Sequence, residues 1–274
     1  MPAVEPITTV RIFNTNTQKI IEAEVPVRDG KALTEGDCVI PGVPGSGAKI
    51  MLNFLDSGGS KTGKLLPTGN PRDTIQLSDG SKIDISLVDA ANPGVFVKAK
   101  DIGLTGKELA HELTSEDLAK LEEIRSIAAE MYGFVKDRAE ASTISRTIPK
   151  MIFVAEADNY TTAEGNIVQA NEITFIGRQM AMQKMHKAFA VTGGICTSAA
   201  ALIEGTVVHD VVRPEQRGNG QIFIGHPSGV MEFGIEIEYK EDGQLYLKRA
   251  AVARTARRLM EGYAFVPRKV FWGE

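Results

Sequence analysis

Cysteine is scarce: the 274 residues hold two, Cys38 and Cys196. They stand far apart, with no CxxC spacing and no neighbouring histidine pair. That excludes a disulfide framework and a thiolate metal site, and it fits a reducing compartment. Long hydrophobic runs are missing as well, since no stretch approaches the roughly 18 uninterrupted apolar residues that a membrane span requires. The start, MPAVEPITTVRIF, has no basic end followed by an apolar core, so no export leader is expected. A soluble cytoplasmic protein without a membrane partner is the expectation. Nor is there an excess of positive charge: 31 Lys and Arg against 35 Asp and Glu give a formal net charge of -4. A nucleic-acid partner would leave a basic footprint, so it is excluded, and any anionic ligand must be held locally. Internal repeats and low-complexity tails are also absent.

What is there is a globular mixture, 43 % hydrophobic and 24 % charged, with length enough for two lobes. TTVRIFNTNTQKIIEAEVPV alternates β-branched and polar residues around Asn-Thr-Asn, which predicts two strands and a turn. The Gly-, Pro- and Ser-rich stretch that follows, IPGVPGSGAKIMLNFLDSGGSKTGKLLPTGN, predicts long loops around one or two short strands, and such loops are usually functional or mobile. KIDISLVDAANPGVFVKAKDIGL gives strand, turn, strand, and a lobe boundary is placed just before it, near Ser81. The clearest helix has Ser115 as its cap, Glu116 and Asp117 in its first turn and Gly133 as its stop. Leu118, Leu121, Ile124, Ala128 and Met131 form its apolar stripe, which is core rather than a cofactor box. KMIFVAEA, GTVVHDVV, GQIFIGHPSGVMEFGIEIEY and GQLYLKRAAVARTARRLM supply further strands. Many strands and few helices predict an α+β protein.

One stretch stands out chemically, AVTGGICTSAAAL. Gly193 and Gly194 would let backbone approach a ligand, and a helix starting near Thr197 and closing before Gly205 would aim free N–H groups and its dipole at an anion. Thr197 and Ser198 add hydroxyl donors. At such a mouth the thiol of Cys196 would have a lowered pKa and could serve as acid or base. The plain alternative is a buried helix start with Cys196 as a small hydrophobe. Other signals are weaker. GHPSG sets His226 and Ser228 in a turn without a triad partner, and GVPGSG lacks the ending of a phosphate-binding P-loop. RTARR reads as a solvated face. Lys64 and Arg72 lie in a loop where polyanion contact and solubility are equally good explanations.

The phrases VRIFNTNT, GVPGSGAKIMLNFLDSGGSKTGKLLPTGN, VDAANPGVFVKAKDIGLTGKEL, MQKMHKAFAVTGGICTSAAALIEGT, IGHPSGV and ARTARRLMEGYAFVP, in that order, resemble the PrpF family of 2-methylaconitate cis-trans isomerases. The likeness runs from about Thr8 to Pro267. It implies a diaminopimelate epimerase-like fold of two lobes, each a curled mixed sheet around a central helix whose N-terminus faces a common cleft. Residues 1–82 would form a partial first lobe, completed by about 254–274, and 83–253 the second. The resemblance makes Thr192, Gly193, Gly194, Thr197 and Ser198 the second-lobe mouth and sets Asn92 in an Asn-Pro turn lining the cleft. His186 and Ser228 would sit at its rim, and Cys196 is the one catalytic candidate.

The implied chemistry is proton transfer on an unsaturated tricarboxylate, which needs an acid, a base and preorganised donors but no metal, nicotinamide or flavin. A keto-enol tautomerase for an oxalomesaconate-type acid and a non-catalytic binding remnant are the alternatives. The family's RGGTSKG-like segment, with a catalytic lysine and a cysteine at the first-lobe helix mouth, does not occur here, and Cys38 lies in strand-like GDCVI. The first lobe is therefore expected to be incomplete, and the main acid/base pair to lie outside this sequence. Exposed strand edges and self-association, a homodimer included, should follow.

Overall fold

The alternating N-terminal pattern becomes a hairpin in the computed structural model, which describes residues 3–15, 17–239 and 245–273. β1 (Ile7–Asn14) and β2 (Lys19–Arg28) pair antiparallel from Ile7↔Pro26 to Asn14↔Lys19. β3 (Lys31–Ala32) adds to β2, β4 (Cys38–Val39) and β5 (Ser46–Gly47) form a small ribbon, and β6 (Ile50–Leu55) returns to pair with β2. After the Gly-rich loop come β7 (Asp73–Gln76), β8 (Lys82–Ala90) and β9 (Asn92–Lys98). The boundary expected near Ser81 falls in the turn of the β7–β8 hairpin, whose strands pair from Asp73↔Ile85 to Gln76↔Lys82.

α1 (Ser115–Met131) is capped by Thr114 and not, as expected, by Ser115. The reason is spacing: Thr114 places Asp117 at its third helical position, and the two exchange bonds, Asp117 N–H to Thr114 Oγ1 at 3.1 Å and Thr114 N–H to Asp117 Oδ2 at 2.9 Å. Its stripe is core as read, except that Met131 is exposed. α2 (Ala141–Ile144) precedes β10 (Lys150–Glu156), which runs parallel to β9. β11 (Tyr160–Thr161) and β12 (Ile167–Val168) make a second ribbon, and β13 (Phe175–Ala181) and β14 (Lys184–Met185) form a hairpin around Met182.

α3 (Val191–Leu202) starts six residues earlier than the expected Thr197, so the two glycines lie inside its first turns. α4 (Val207–Asp210) replaces the strand expected for GTVVHDVV. The cause is local: Thr206 Oγ1 accepts from His209 N–H at 3.0 Å and donates to Ala200 O at 2.6 Å, which winds the two valines into a turn beneath α3. β15 (Gln221–His226), β16 (Gly229–Tyr239) and β17 (Leu245–Arg254) follow, then α5 (Arg268–Trp272).

The main sheet runs β1-β2-β6-β17-β16-β15-β13-β10-β9-β8-β7 and mixes parallel with antiparallel pairs. It curls until β8, β9, β15, β16 and β17 all touch α3, so the expected α+β class and the curled sheet around a central helix are both present. β8, β9 and β10 explain their own composition. Val88, Phe96 and Ile152 face the α3 core, while Leu87, Val97 and Phe153 face the α1 core. Strands covered on both sides read as unbroken apolar runs, and each such side chain contributes about 1.5–3 kcal/mol.

β1 and β2 supply no residue to either large core. The chain's late return to β6 is made by β17, from Arg249↔Leu55 to Arg254↔Ile50. Residues 255–267, expected to take strand form, carry no regular element and are mostly exposed. Among the described residues no helix is long and apolar enough to cross a membrane, and no group of three or more His, Cys, Asp or Glu is placed to hold a metal ion.

Candidate functional site

The N-terminus of α3 is uncapped. Its cap position is Ala190, which has no side-chain acceptor, and the helix's first backbone bond of this kind runs from Gly194 N–H to Ala190 O at 2.8 Å. The N–H groups of Val191, Thr192 and Gly193 are therefore left without an intrahelical partner, at the positive end of the helix dipole. α1, by contrast, satisfies its first turn with a capping box.

In front of this turn lies a narrow slot of about 20 Å³, with Asn14, Lys19, Ser57, Ser60, Ala91 and Thr192 in its wall. That volume holds one water or a single carboxylate-sized group, and a larger ligand must extend out of it. Three elements converge here: the β1–β2 turn, the Gly-rich loop after β6 and the one-residue turn between β8 and β9. Ala91 forms that last turn in the left-handed region, φ 57°, and its N–H donates to Ser57 O at 2.7 Å.

The Gly-rich loop is pinned by Asp89, a fully buried carboxylate. It accepts from Ser60 Oγ at 2.6 Å, Lys61 N–H at 2.8 Å, Thr62 N–H at 2.7 Å and Thr62 Oγ1 at 2.9 Å. Backbone bonds from Gly59 N–H to Asp89 O and from Asp89 N–H to Leu65 O complete the stitching. The loop thereby presents Ser57, whose buried hydroxyl has no partner, beside Asn92, whose Oδ1 is also unpartnered.

Of the residues singled out in sequence, Thr192 lies in the slot wall, and Asn92 stands behind it, its Nδ2 donating to Thr192 Oγ1 at 3.4 Å. The others do not serve it directly. Gly193 and Gly194 are buried, and their missing Cβ atoms make room for protein rather than ligand. A Cβ on Gly193 would lie 2.3 Å from Gln179 Oε1, and one on Gly194 2.1 Å from Phe233 Cζ. Thr197 Oγ1 donates to Gly193 O one turn back at 2.8 Å, and Ser198 is fully buried.

Cys196 corrects the expected acid/base thiol. It sits in the second turn, wholly buried, with Sγ donating to Val88 O at 3.1 Å. Burial, with the nearby Asp89, pushes its pKa far above the ordinary thiol range instead of lowering it. His186 Nδ1 accepts from Ala188 N–H at 3.0 Å, and Ser228 Oγ donates to Lys187 O at 2.7 Å beside a different cavity. Arg72 is structural: it donates to Gly205 O and pairs with Asp210 at 2.6 Å, tying its loop to α4.

Ser57, Ser60 and Asp89 were missed by sequence reasoning. The available signal was DSGGSK, a glycine-rich run read only as a loop. Chemically the slot donates: it offers helix N–H groups, serine and threonine hydroxyls and one ammonium, Lys19, which Asp56 holds at 2.9 Å. Among the described residues its wall contains no His, Cys, Asp or Glu.

A family profile described as PrpF protein matches residues 1–267. A 3-methylitaconate isomerase from Eubacterium barkeri is 43 % identical over 267 residues, covering 96 % of this chain and 68 % of that protein. A 2-methyl-aconitate isomerase from Shewanella oneidensis is 33 % identical over 270 residues, covering 96 % of this chain and 66 % of that protein. A crystal structure of methylitaconate-delta-isomerase superposes with a TM-score of 0.87 at 43 % identity, covering 96 % of this chain and 67 % of that one. The chain thus spans about two thirds of the length of these relatives.

Proposed function

The chain belongs to the PrpF family, and from that premise we propose that it binds an unsaturated polycarboxylic acid of the methylaconitate or methylitaconate kind and takes part in its isomerisation. The uncapped first turn of α3, open at Thr192 onto the slot, is the observation that carries this. One substrate carboxylate docks on the N–H groups of Val191 and Thr192, with the Ser57 hydroxyl as a further donor. Because Thr192 Oγ1 accepts from Asn92 Nδ2, its own O–H is left to donate to the ligand.

Isomerisation removes a proton from the carbon allylic to the carboxylate-bearing double bond. Negative charge then spreads onto the conjugated carboxylate, and reprotonation at another carbon gives the isomer. Fixed N–H dipoles stabilise the extra charge as it develops, which lowers the barrier more than it tightens substrate binding. The slot wall provides this stabilisation but, apart from the Lys19 ammonium that Asp56 holds, no titratable side chain to move the proton, so the base comes from outside it. That same observation favours one second reading, a polycarboxylate-binding module without turnover of its own.

The test is ultraviolet absorbance of methylaconitate isomerisation by this chain alone and by the chain supplied with the part of a relative that it does not match. Turnover near background for the first and restored for the second is expected. Full activity of the chain alone would show that its own residues move the proton. Inactivity of both forms, with a tricarboxylate still bound at the slot, would leave the binding module.

A further inference from the structure

The basic run at the end of β17 has no part in the slot. Its first member, Arg254, lines a separate cavity of about 400 Å³ between residues 40–43, the turn after β15 and the segment leading into α3. That volume lies in the range of small-molecule sites. Other shielded arginines are matched: Arg249 by Glu236, Arg125 by Glu122, and the fully buried Arg178 by the carbonyls of Glu108, Gly177, Gly225 and Lys107. Arg254 differs. Nη1 donates to the adjacent Ala253 O at 2.7 Å, Nη2 has only Met231 Sδ at 3.6 Å, and no carboxylate lies within ion-pairing distance among the described residues. It is half-buried, and that partial loss of water holds its pKa below the usual arginine value.

Next to it is a second unmatched donor. His226 is fully buried, its Nδ1 accepts from Ser228 N–H at 3.2 Å, and the ring proton therefore sits on Nε2, which has no acceptor. The imidazole is close enough to Arg254 to feel its charge. Lys187 and Thr255 add donors to the cavity wall, Pro41, Phe189 and Met231 make it apolar, and the one acidic residue there, Glu164, is exposed. A half-buried guanidinium without an ion-pair partner, in a recess that also carries Lys187 and Thr255, suits a small anion, and the planar two-donor edge of arginine matches a carboxylate.

We infer that this cavity binds an organic carboxylate, with Arg254 as the principal ligand and Lys187 and Thr255 as flanking donors, separately from the α3 slot. The inference does not depend on the isomerase reading. Isothermal titration of the whole chain with tricarballylate, a saturated tricarboxylate that cannot isomerise, tests it. Arg254→Gln should weaken binding at least about tenfold, as expected for loss of a charge-assisted pair. Arg254→Lys should recover part of the loss, and Arg257→Gln should change nothing. Thr192→Ala should leave the Arg254-dependent binding intact.

If Thr192→Ala abolishes binding while Arg254→Gln does not, the ligand sits at the slot alone; the inference falls and the proposed function stands. Absence of any binding overturns it too. Inorganic phosphate bound as tightly as tricarballylate overturns the carboxylate assignment. Unliganded Arg254→Gln should melt at or above the parent temperature, because a half-buried charge without an ion-pair partner has been removed. A lower melting temperature would make the guanidinium a structural group and defeat the inference.

Discussion

His226 is an imidazole held neutral. Burial, with the positive charges of Arg178 and Arg254 around it, brings its pKa down to about 3. An unfolded chain would titrate this residue near 6.5, so between about 6.5 and 3 the unfolded state binds a proton that the native state refuses. Stability from this group is complete above the upper value and is lost as pH falls through that window, with a slope approaching about 1.4 kcal/mol per pH unit. His226→Asn keeps an acceptor for Ser228 N–H and cannot titrate. Urea denaturation of parent and variant should therefore diverge progressively below about pH 6.5, the parent losing stability faster; parallel profiles would show that the imidazole is already protonated in the fold. Single residues were the least legible part of this sequence. Thr192 and Asn92 can be singled out because a helix start and an Asn-Pro turn leave local marks. Gly193 and Gly194 are assigned to a ligand in sequence because nothing local says that Gln179 and Phe233 occupy the space above them.

The loop from Ser57 to Leu65 behaves as one element because Asp89 holds it from beneath. Four donors converge on that carboxylate, and it has no ammonium or guanidinium partner among the described residues to share the load. Asp89→Asn replaces one accepting oxygen by an amide that donates, which opposes the Ser60 hydroxyl if it stands in place of Oδ1 and all three donors of Lys61 and Thr62 if it stands in place of Oδ2. The cost should be about 2–5 kcal/mol, and it should fall first on the loop. Lys61 and Lys64 are exposed at its tip, so tryptic cleavage after them should accelerate in the variant under conditions where the rest of the chain resists. Equal cleavage rates would mean that the backbone bonds to β8 suffice. Elements themselves were mostly readable, since alternation marks β1, β2, β8 and β9 and helical spacing marks α1. The two errors share a cause. The start of α3 and the turn of α4 are set by Ala190, which gives no capping signal, and by Thr206, whose valine neighbours favour strand.

Across the whole molecule the sheet is dressed unevenly. From β13 through β8 both faces are packed, β15 to β17 pack on the α3 side alone, and at the other end β1 and β2 belong to no large core, β1 being an edge strand with Phe13 54 % exposed and Ile12 43 % exposed. Order along the chain could not reveal this, because the curl that wraps α3 depends on β17 reaching back to β6, a pairing between residues about two hundred positions apart. An unpaired edge bearing apolar side chains is a template for a second strand. β1 is predicted to mediate self-association, with Phe265 and Tyr263, 98 % and 99 % exposed, adding apolar surface. Sedimentation velocity over a concentration series should show a rising weight-average coefficient for the parent. Phe13→Lys places a charge on the edge and should hold the chain monomeric. The substitution removes little buried area, so its melting temperature should stay within a degree or two of the parent. A parent that sediments as a monomer at every concentration, or a Phe13→Lys variant that associates equally well, would show that the Arg11–Glu22 pair and the twist of the hairpin already protect the edge.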